Sequence, residues 1–209
     1  MIMSLISEKR LAKFKRVAAL RQKITVVLEN VHDPHNIGAV MRTCDAVGID
    51  EIYVLYSDEK LDFDRLDALG TSSTGVKKWI QIHKFRDIEA CFQAVSEKYD
   101  QVLATHLAKD AVSMYQCDLS GDVAFLFGNE HEGLTEEALS YATGNILIPQ
   151  MGMAQSLNIS VACAVTIYEC LRQRLVKDMY AEELSQEDAW RNSVYKRFCD
   201  IQEASYKKK

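Results

Sequence analysis

Three stretches of this sequence combine residue types that can do chemistry: "ENVHDPHNIGAVMRT" (29–43), "LFGNEHEGL" (126–134) and "IPQMGMAQSLNIS" (148–160). In the first, Asn36 and Arg42 are six residues apart. At ~100° per residue they point to different sides of a helix. Asn36 can serve the helix's N-terminal turn. Arg42 sits among Val40, Met41, Ala46 and Val47, where a guanidinium needs a partner; a plain surface charge is the alternative. His32 and His35 are separated by a Pro34 break that keeps them off a common helical face, so no metal site is expected there. In the second stretch Gly128 and Gly133 frame Asn129, Glu130, His131 and Glu132. Paired glycines permit positive φ and close approach of a ligand to the backbone. The stretch is neither a P-loop nor a dinucleotide fingerprint, and it lacks the second histidine of a zinc protease. In the third, Ser156, Asn158 and Ser160 stand at the mouth of an apolar, small-residue helix, "VACAVTIYECL". N-capping by Ser156 accounts for part of that cluster but not for Asn158.

These stretches need elements to hold them. "ITVVLEN", "EIYVLY", "KWIQIHKF", "QVLATHL", "DVAFLFG" and "NILIP" read as strands. Helices fall between them: "HNIGAVMRTCDAVG" closed by Gly48, "DIEACFQAVSEKY" and "TEEALSYA". The alternation predicts an α/β fold, a mostly parallel sheet with helices on both faces. In such sheets ligands gather outside the carboxyl ends of the strands, and all three polar stretches directly follow strands. The first helix, with Ser7 as its N-cap, places Leu11, Phe14 and Val17 on one stripe and Lys9, Lys13 and Arg16 on another. The chain after residue 156 is helical, and "SQEDAWRNSVYKRFCDIQEASY" reads as a separate helix starting near Ser185 or Gln186. The expected organisation is a basic helical extension (1–23), an α/β domain (24–177) and a C-terminal helical extension (178–209).

With 209 residues, 48% of them hydrophobic, the chain suits one sizeable globular domain. No apolar run approaches the ~20 residues of a membrane span, and the first residues have the wrong order for a secretory signal. Six cysteines without CxxC pairs indicate reduced thiols and a cytoplasmic setting. The net charge of −5 hides an uneven spread: +6 over residues 1–23, +4 over 190–209 and −15 between them. An acidic body with basic ends can hold a polyanion, because phosphate attraction is local and screened beyond ~8 Å.

Taken together, the N-x5-R spacing, the glycine-framed "GNE" and the "IPQMGMAQSLNIS" segment resemble the SpoU/TrmH family of RNA ribose 2′-O-methyltransferases, in the family's order and over residues 24–177. The basic first helix and the last helix with Trp190 resemble the TrmH branch, which methylates the D-loop guanosine at tRNA position 18. The resemblance implies a SPOUT fold, in which the C-terminal part of the sheet is tied into a deep trefoil knot, one of the known exceptions to unknotted chains. It implies S-adenosylmethionine as cofactor, contacted by the backbone at Thr105, Gly128, Ile148, Met153 and Leu157, with Asn36, Arg42, Glu130, Ser156 and Asn158 at the remaining polar motif positions. It also implies a homodimer in which Arg42 reaches the methyl donor held by the partner.

The chemistry expected is methyl transfer to a ribose hydroxyl, and alignment of the reactants supplies much of the acceleration. A guanidinium stays charged in proteins, so Arg42 is expected to stabilise the developing alkoxide and to hold an RNA phosphate that relays the proton. Lys9, Arg10, Lys13, Arg16, Arg172 and Arg174 are the expected phosphate contacts, and "TSSTGVKK" (71–78) is a further RNA-facing loop or an ordinary turn. The rival readings are methylation of ribosomal RNA or a tRNA wobble nucleotide, and a knotted RNA-binding protein without catalysis.

Overall fold

The computed structural model describes residues 6–67, 75–108, 111–154 and 156–207. Its centre is a seven-stranded sheet of order β3-β2-β1-β6-β4-β7-β5, built from β1 (Ile24–Glu29), β2 (Glu51–Leu55), β3 (Gln81–Phe85), β4 (Gln101–Ala104), β5 (Val112–Ser113), β6 (Val123–Phe127) and β7 (Gly144–Leu147). Every strand pairing is parallel. Side chains of period two split the sheet's surface between two cores. Ile24, Val26, Leu28, Ile52, Val54, Val123, Phe125 and Phe127 pack on one face with α2 (Pro34–Val47) and α6 (Ile159–Val176). Val27, Tyr53, Leu55, Ala124 and Leu126 face the opposite way, toward α4 (Ile88–Ser96) and α5 (Glu136–Leu139). The short α3 (Asp64–Asp67) and the strand β5 have no counterpart in the sequence expectation. The β3 strand begins at Gln81, after Trp79, and "TEEALSYA" yields only the one turn of α5. Residues 71–74 of "TSSTGVKK", and Lys208 and Lys209, lie outside the described residues.

The first and last helices meet. Helices α1 (Glu8–Ala19) and α7 (Ala189–Lys207) enclose a third cluster of Ile6, Phe14, Ala18, Val194 and Phe198, with Trp79 and Trp190 packed against it. Buried ions fasten this layer to the sheet. Arg21 donates to Asp45 Oδ1 at 2.7 Å and to the Ile49 carbonyl at 2.7 Å. Asp50 is paired with Arg197 from α7. Burial pushes the Asp50 carboxyl up, opposed by Arg197 and Arg21. The helix ends differ in detail from expectation. Ser7 occupies the N-cap of α1 but its hydroxyl makes no capping bond. The α7 helix starts after Asp188, whose Oδ1 accepts from the Arg191 amide at 2.9 Å, and not at Ser185 or Gln186. Gly48 closes α2 in the left-handed conformation, as the sequence predicts.

Candidate functional site

The three polar stretches leave the same edge of the sheet, at the carboxyl ends of β1, β6 and β7, with Thr105 directly after β4. Because β6, β4 and β7 are consecutive neighbours, residues 128–134, 105–107 and 146–148 converge there with Gln150, Ser156 and Leu157. Together they line a cavity of about 440 Å³. Its wall includes Thr105, Gly128, Glu130, Ile148, Ser156 and Leu157, six of the residues singled out from the sequence. Leu107, Phe127, Ile146 and Ile159 give it apolar surface, and His106, His131 and Gln150 line it as well.

The second stretch owes its shape to backbone contacts. Asn129 and Gly133 form an antiparallel bridge, with amide-to-carbonyl distances of 2.9 and 3.0 Å. Gly133 has φ +74°. A Cβ placed on Gly128 would lie 2.3 Å from the Gly133 carbonyl carbon and oxygen and 2.5 Å from the Leu134 nitrogen. The close approach that Gly128 permits is therefore that of the chain's own backbone, where the sequence suggested a ligand. Asn129, buried, fixes the turn: its Oδ1 accepts from the His131 amide at 2.7 Å, and its Nδ2 donates to the Asn30 carbonyl at 2.9 Å. Beneath it the buried Glu29 accepts from the Thr135 amide at 3.0 Å and from its hydroxyl at 2.6 Å. The sequence assigns no role to Asn129 within the glycine-framed turn or to Glu29; their signal is position, Glu29 being the last residue of the apolar β1 and Asn129 lying two residues past the apolar β6.

A hydrogen-bonded chain ties the three stretches together. Asn36 Nδ2 donates to Glu130 Oε1 at 2.8 Å, and Asn158 Nδ2 donates to Asn36 Oδ1 at 3.1 Å. Asn158 is the N-cap of α6, a role the sequence reading gave to Ser156; its Oδ1 accepts from the Ser160 amide at 2.9 Å and hydroxyl at 2.6 Å. Glu130 Oε2 is buried without a hydrogen-bond partner among the described residues. A buried carboxylate oxygen in a cavity wall is costly unless something donates to it, which makes it a natural acceptor for a ligand's N–H or O–H.

The other expected residues lie apart. Arg42 is exposed, two turns into α2, and is not part of the cavity wall; Met153 is fully exposed on the loop beyond it. Lys9, Lys13 and Arg16 are exposed on α1, while Arg10 is half-buried, stacked over Phe14 and donating to Gln202 Oε1 at 3.2 Å. Arg172 is exposed and paired with Glu169 at 2.7 Å. Arg174 corrects the expectation: only 1% exposed, it donates to Gln22 Oε1 at 2.8 Å and to the Lys23 and Gly121 carbonyls at 3.1 and 2.6 Å. Spent on those acceptors, it cannot meet a phosphate. Among the described residues no group of three His, Cys, Asp or Glu side chains converges as a metal site would, and no helix is long and apolar enough to cross a membrane.

Comparison with known proteins places this geometry. The family described as SpoU rRNA Methylase matches residues 23–168. A tRNA (guanosine(18)-2′-O)-methyltransferase of Thermus thermophilus is 40% identical over 175 residues, 83% of this chain and 88% of that protein. The crystal structure of an Aquifex aeolicus TrmH/SpoU tRNA-modifying enzyme superposes with a TM-score of 0.76 at 32% identity, covering 93% of this chain and 97% of the other. An AdoMet-bound rRNA methyltransferase of Sinorhizobium meliloti superposes with a TM-score of 0.60 at 30% identity, over 75% of this chain and 59% of the other.

Proposed function

Because the chain belongs to the SpoU rRNA methylase family, we propose that the cavity at the carboxyl ends of β6, β4 and β7 is where it methylates a ribose 2′-hydroxyl of tRNA. The chain is an RNA 2′-O-methyltransferase that uses S-adenosylmethionine, and its target is the guanosine at tRNA position 18. The observation that carries the site assignment is the meeting of the second and third stretches with Thr105–Leu107 in one cavity, the first stretch being tied to its wall by the Asn158–Asn36–Glu130 hydrogen bonds.

The residues present fit the cofactor. The cavity volume lies in the ~300–1,000 Å³ range of small-molecule sites. Its apolar wall suits a base ring, and the unpartnered Glu130 oxygen suits a cationic or hydroxyl donor. Backbone at Thr105, Gly128, Ile148 and Leu157 would hold it, with Ser156 in the same wall, while Met153 would join only as the loop is covered by a second copy. When bound, S-adenosylmethionine supplies a methyl already activated on a sulfonium. What remains for the protein is to align the ribose and to ease the loss of its proton. Arg42 of the partner subunit does the second: its fixed charge stabilises the developing alkoxide and holds an RNA phosphate, which takes the proton. Asn36 and Asn158 orient Glu130 and the loops around it.

The arrangement is a homodimer. Exposed apolar side chains concentrate on the third stretch and α6: Met151, Met153, Leu157, then Val161, Tyr168 and Leu175 at intervals of seven along one stripe. A stripe of that kind beside a ligand cavity is the mark of a buried interface. It accounts for the exposure of Met153, which a second copy would cover. Within each copy we infer the trefoil knot over 128–160. It is supported by strand order: β7 pairs with β4 on the side away from β6, and the chain then returns to lay α6 on α2. The chain divides into 1–23, 24–177 and 178–209, with α1 and α7 forming one basic layer for tRNA phosphates. A tRNA substrate and six free cysteines favour the cytoplasm.

Incubating the protein with labelled S-adenosylmethionine and unmodified tRNA, then mapping the modified nucleotide, tests this reading. Label at guanosine 18 is expected. Label at another nucleotide or on ribosomal RNA would replace the substrate, and cofactor binding without transfer to any RNA would favour the non-catalytic reading.

A further inference from the structure

We infer that Ser160 is a positioning residue for the methyl transfer: its amide, which can only donate, sets the orientation of the Asn158 carboxamide, and its hydroxyl clamps that carboxamide in place and, through it, Asn36 against Glu130. The inference rests on the methyltransferase reading and adds a residue to it.

A carboxamide can be turned by 180°, exchanging its oxygen and nitrogen at almost no cost in shape, so its hydrogen-bond partners decide which way it sits. Asn158 has two donors on its oxygen side, the Ser160 amide at 2.9 Å and the Ser160 hydroxyl at 2.6 Å. They hold the oxygen toward the helix and send Nδ2 outward to Asn36 Oδ1 at 3.1 Å. With its own oxygen so engaged, Asn36 presents Nδ2 to Glu130 Oε1 at 2.8 Å. Turning Asn158 would set its oxygen against that of Asn36, and turning Asn36 in response would set an oxygen against the carboxylate. The orientation is therefore decided once, at the α6 end, and passed across three loops. Helix capping alone asks only for the backbone amide at position 160. The hydroxyl is a second donor, beyond what the cap requires, on a residue outside the cavity wall.

Ser160→Ala removes the hydroxyl and leaves the cap, and Ser160→Thr keeps both. Three readouts separate a lock from a local cap. In the cofactor-free protein, the 15N side-chain amide resonance of Asn36 should shift or broaden in Ser160→Ala and return in Ser160→Thr. With tRNA, Ser160→Ala should lower kcat about tenfold, the loss of one hydrogen bond, with KM and Tm near the parent's. In an Asn36→Ala background the same change should cost nothing further. An unmoved Asn36 resonance, parental kcat in Ser160→Ala, or effects that multiply in the double variant would each overturn the role. Absence of any RNA methylation by the parent protein is a different result, which removes the functional reading and this inference with it.

Discussion

Replacing Gly128 by alanine tests what the glycines of the second stretch are for. The added methyl would lie 2.3 Å from the Gly133 carbonyl and 2.5 Å from the Leu134 nitrogen. Ordinary carbon contacts are ~3.5 Å or more, so one side must move by about 1 Å. Neither neighbour is the flexible end of a side chain. Gly133 is tied back to Asn129 by two backbone hydrogen bonds, and Leu134 is buried. Relief therefore means opening the 128–134 turn, at a cost of roughly 2–3 kcal/mol by analogy with overpacked cores. For a chain of this length that lowers Tm by roughly 4–12 °C. The turn lines the cavity, so affinity for S-adenosylmethionine should fall as well. Calorimetric melting of the cofactor-free protein, with titration of the cofactor, separates two accounts. If the glycine serves backbone packing, Tm drops without any ligand present. If it serves only ligand approach, Tm stays and affinity alone falls, and that result would refute the packing account.

Further outcomes follow from the same geometry. Arg174→Ala should destabilise the fold by roughly 3 kcal/mol, since it leaves the acceptors of Gln22, Lys23 and Gly121 without their donor; Arg172→Ala, which takes two donors from the buried Glu169 but leaves it the Gln173 amide, should cost less in chemical denaturation and weaken tRNA binding as well. Neutralising Lys9, Lys13 and Arg16 together should leave Tm unchanged, lower tRNA affinity, and flatten the slope of log affinity against log salt by roughly two units; an unchanged slope would remove α1 from the RNA surface. Mixing Arg42→Ala with Glu130→Ala protomers should restore activity that neither has alone, because one mixed site then carries both intact residues; no recovery despite exchange of subunits would end the role of Arg42 in trans. Glu51 predicts the acid limb of stability. Burial pushes its carboxyl up, but hydrogen bonds from His83 and Lys98 outweigh this and hold it at about 2, below the ordinary 4.5. A depressed folded value stabilises fully above about pH 4.5, and the contribution, on the order of 3 kcal/mol, is lost as pH falls toward 2. Urea melts of Glu51→Gln from pH 6 to 2 should show a shallower acid decline than the parent's, and equal slopes would refute the assignment.

The strands and the site edge were legible because both depend on local pattern. Runs such as Ile24–Glu29 and Val123–Phe127, short and rich in β-branched or aromatic residues, read as buried strands, and once strands are placed the polar stretches that follow them lie at their carboxyl ends. The caps were less legible. A side chain caps only when the backbone turns where its oxygen can reach the second or third amide, so Asn158 caps α6 where composition pointed to Ser156, and α7 begins after Asp188 where composition placed its start near Ser185 or Gln186. Arg174 is the more instructive miss. Two residues of helix turn ~200°, so Arg172 and Arg174 cannot share a surface. Cys163, Ile167, Cys170 and Arg174 follow one another at intervals of four, three and four, the inward stripe of α6, and all four are buried. The periodicity that marked the core had already assigned Arg174 to it, and its charge drew attention away. No such local signal exists for the bonds from Asn36 to Glu130 and Asn158, partners 94 and 122 residues away. Those pairs exist because β1 lies beside β6 and because α6 returns across the sheet to α2. A sequence states that three polar stretches follow three strands. Which strands are neighbours, and so which amide meets which carboxylate, is decided by the path of the chain.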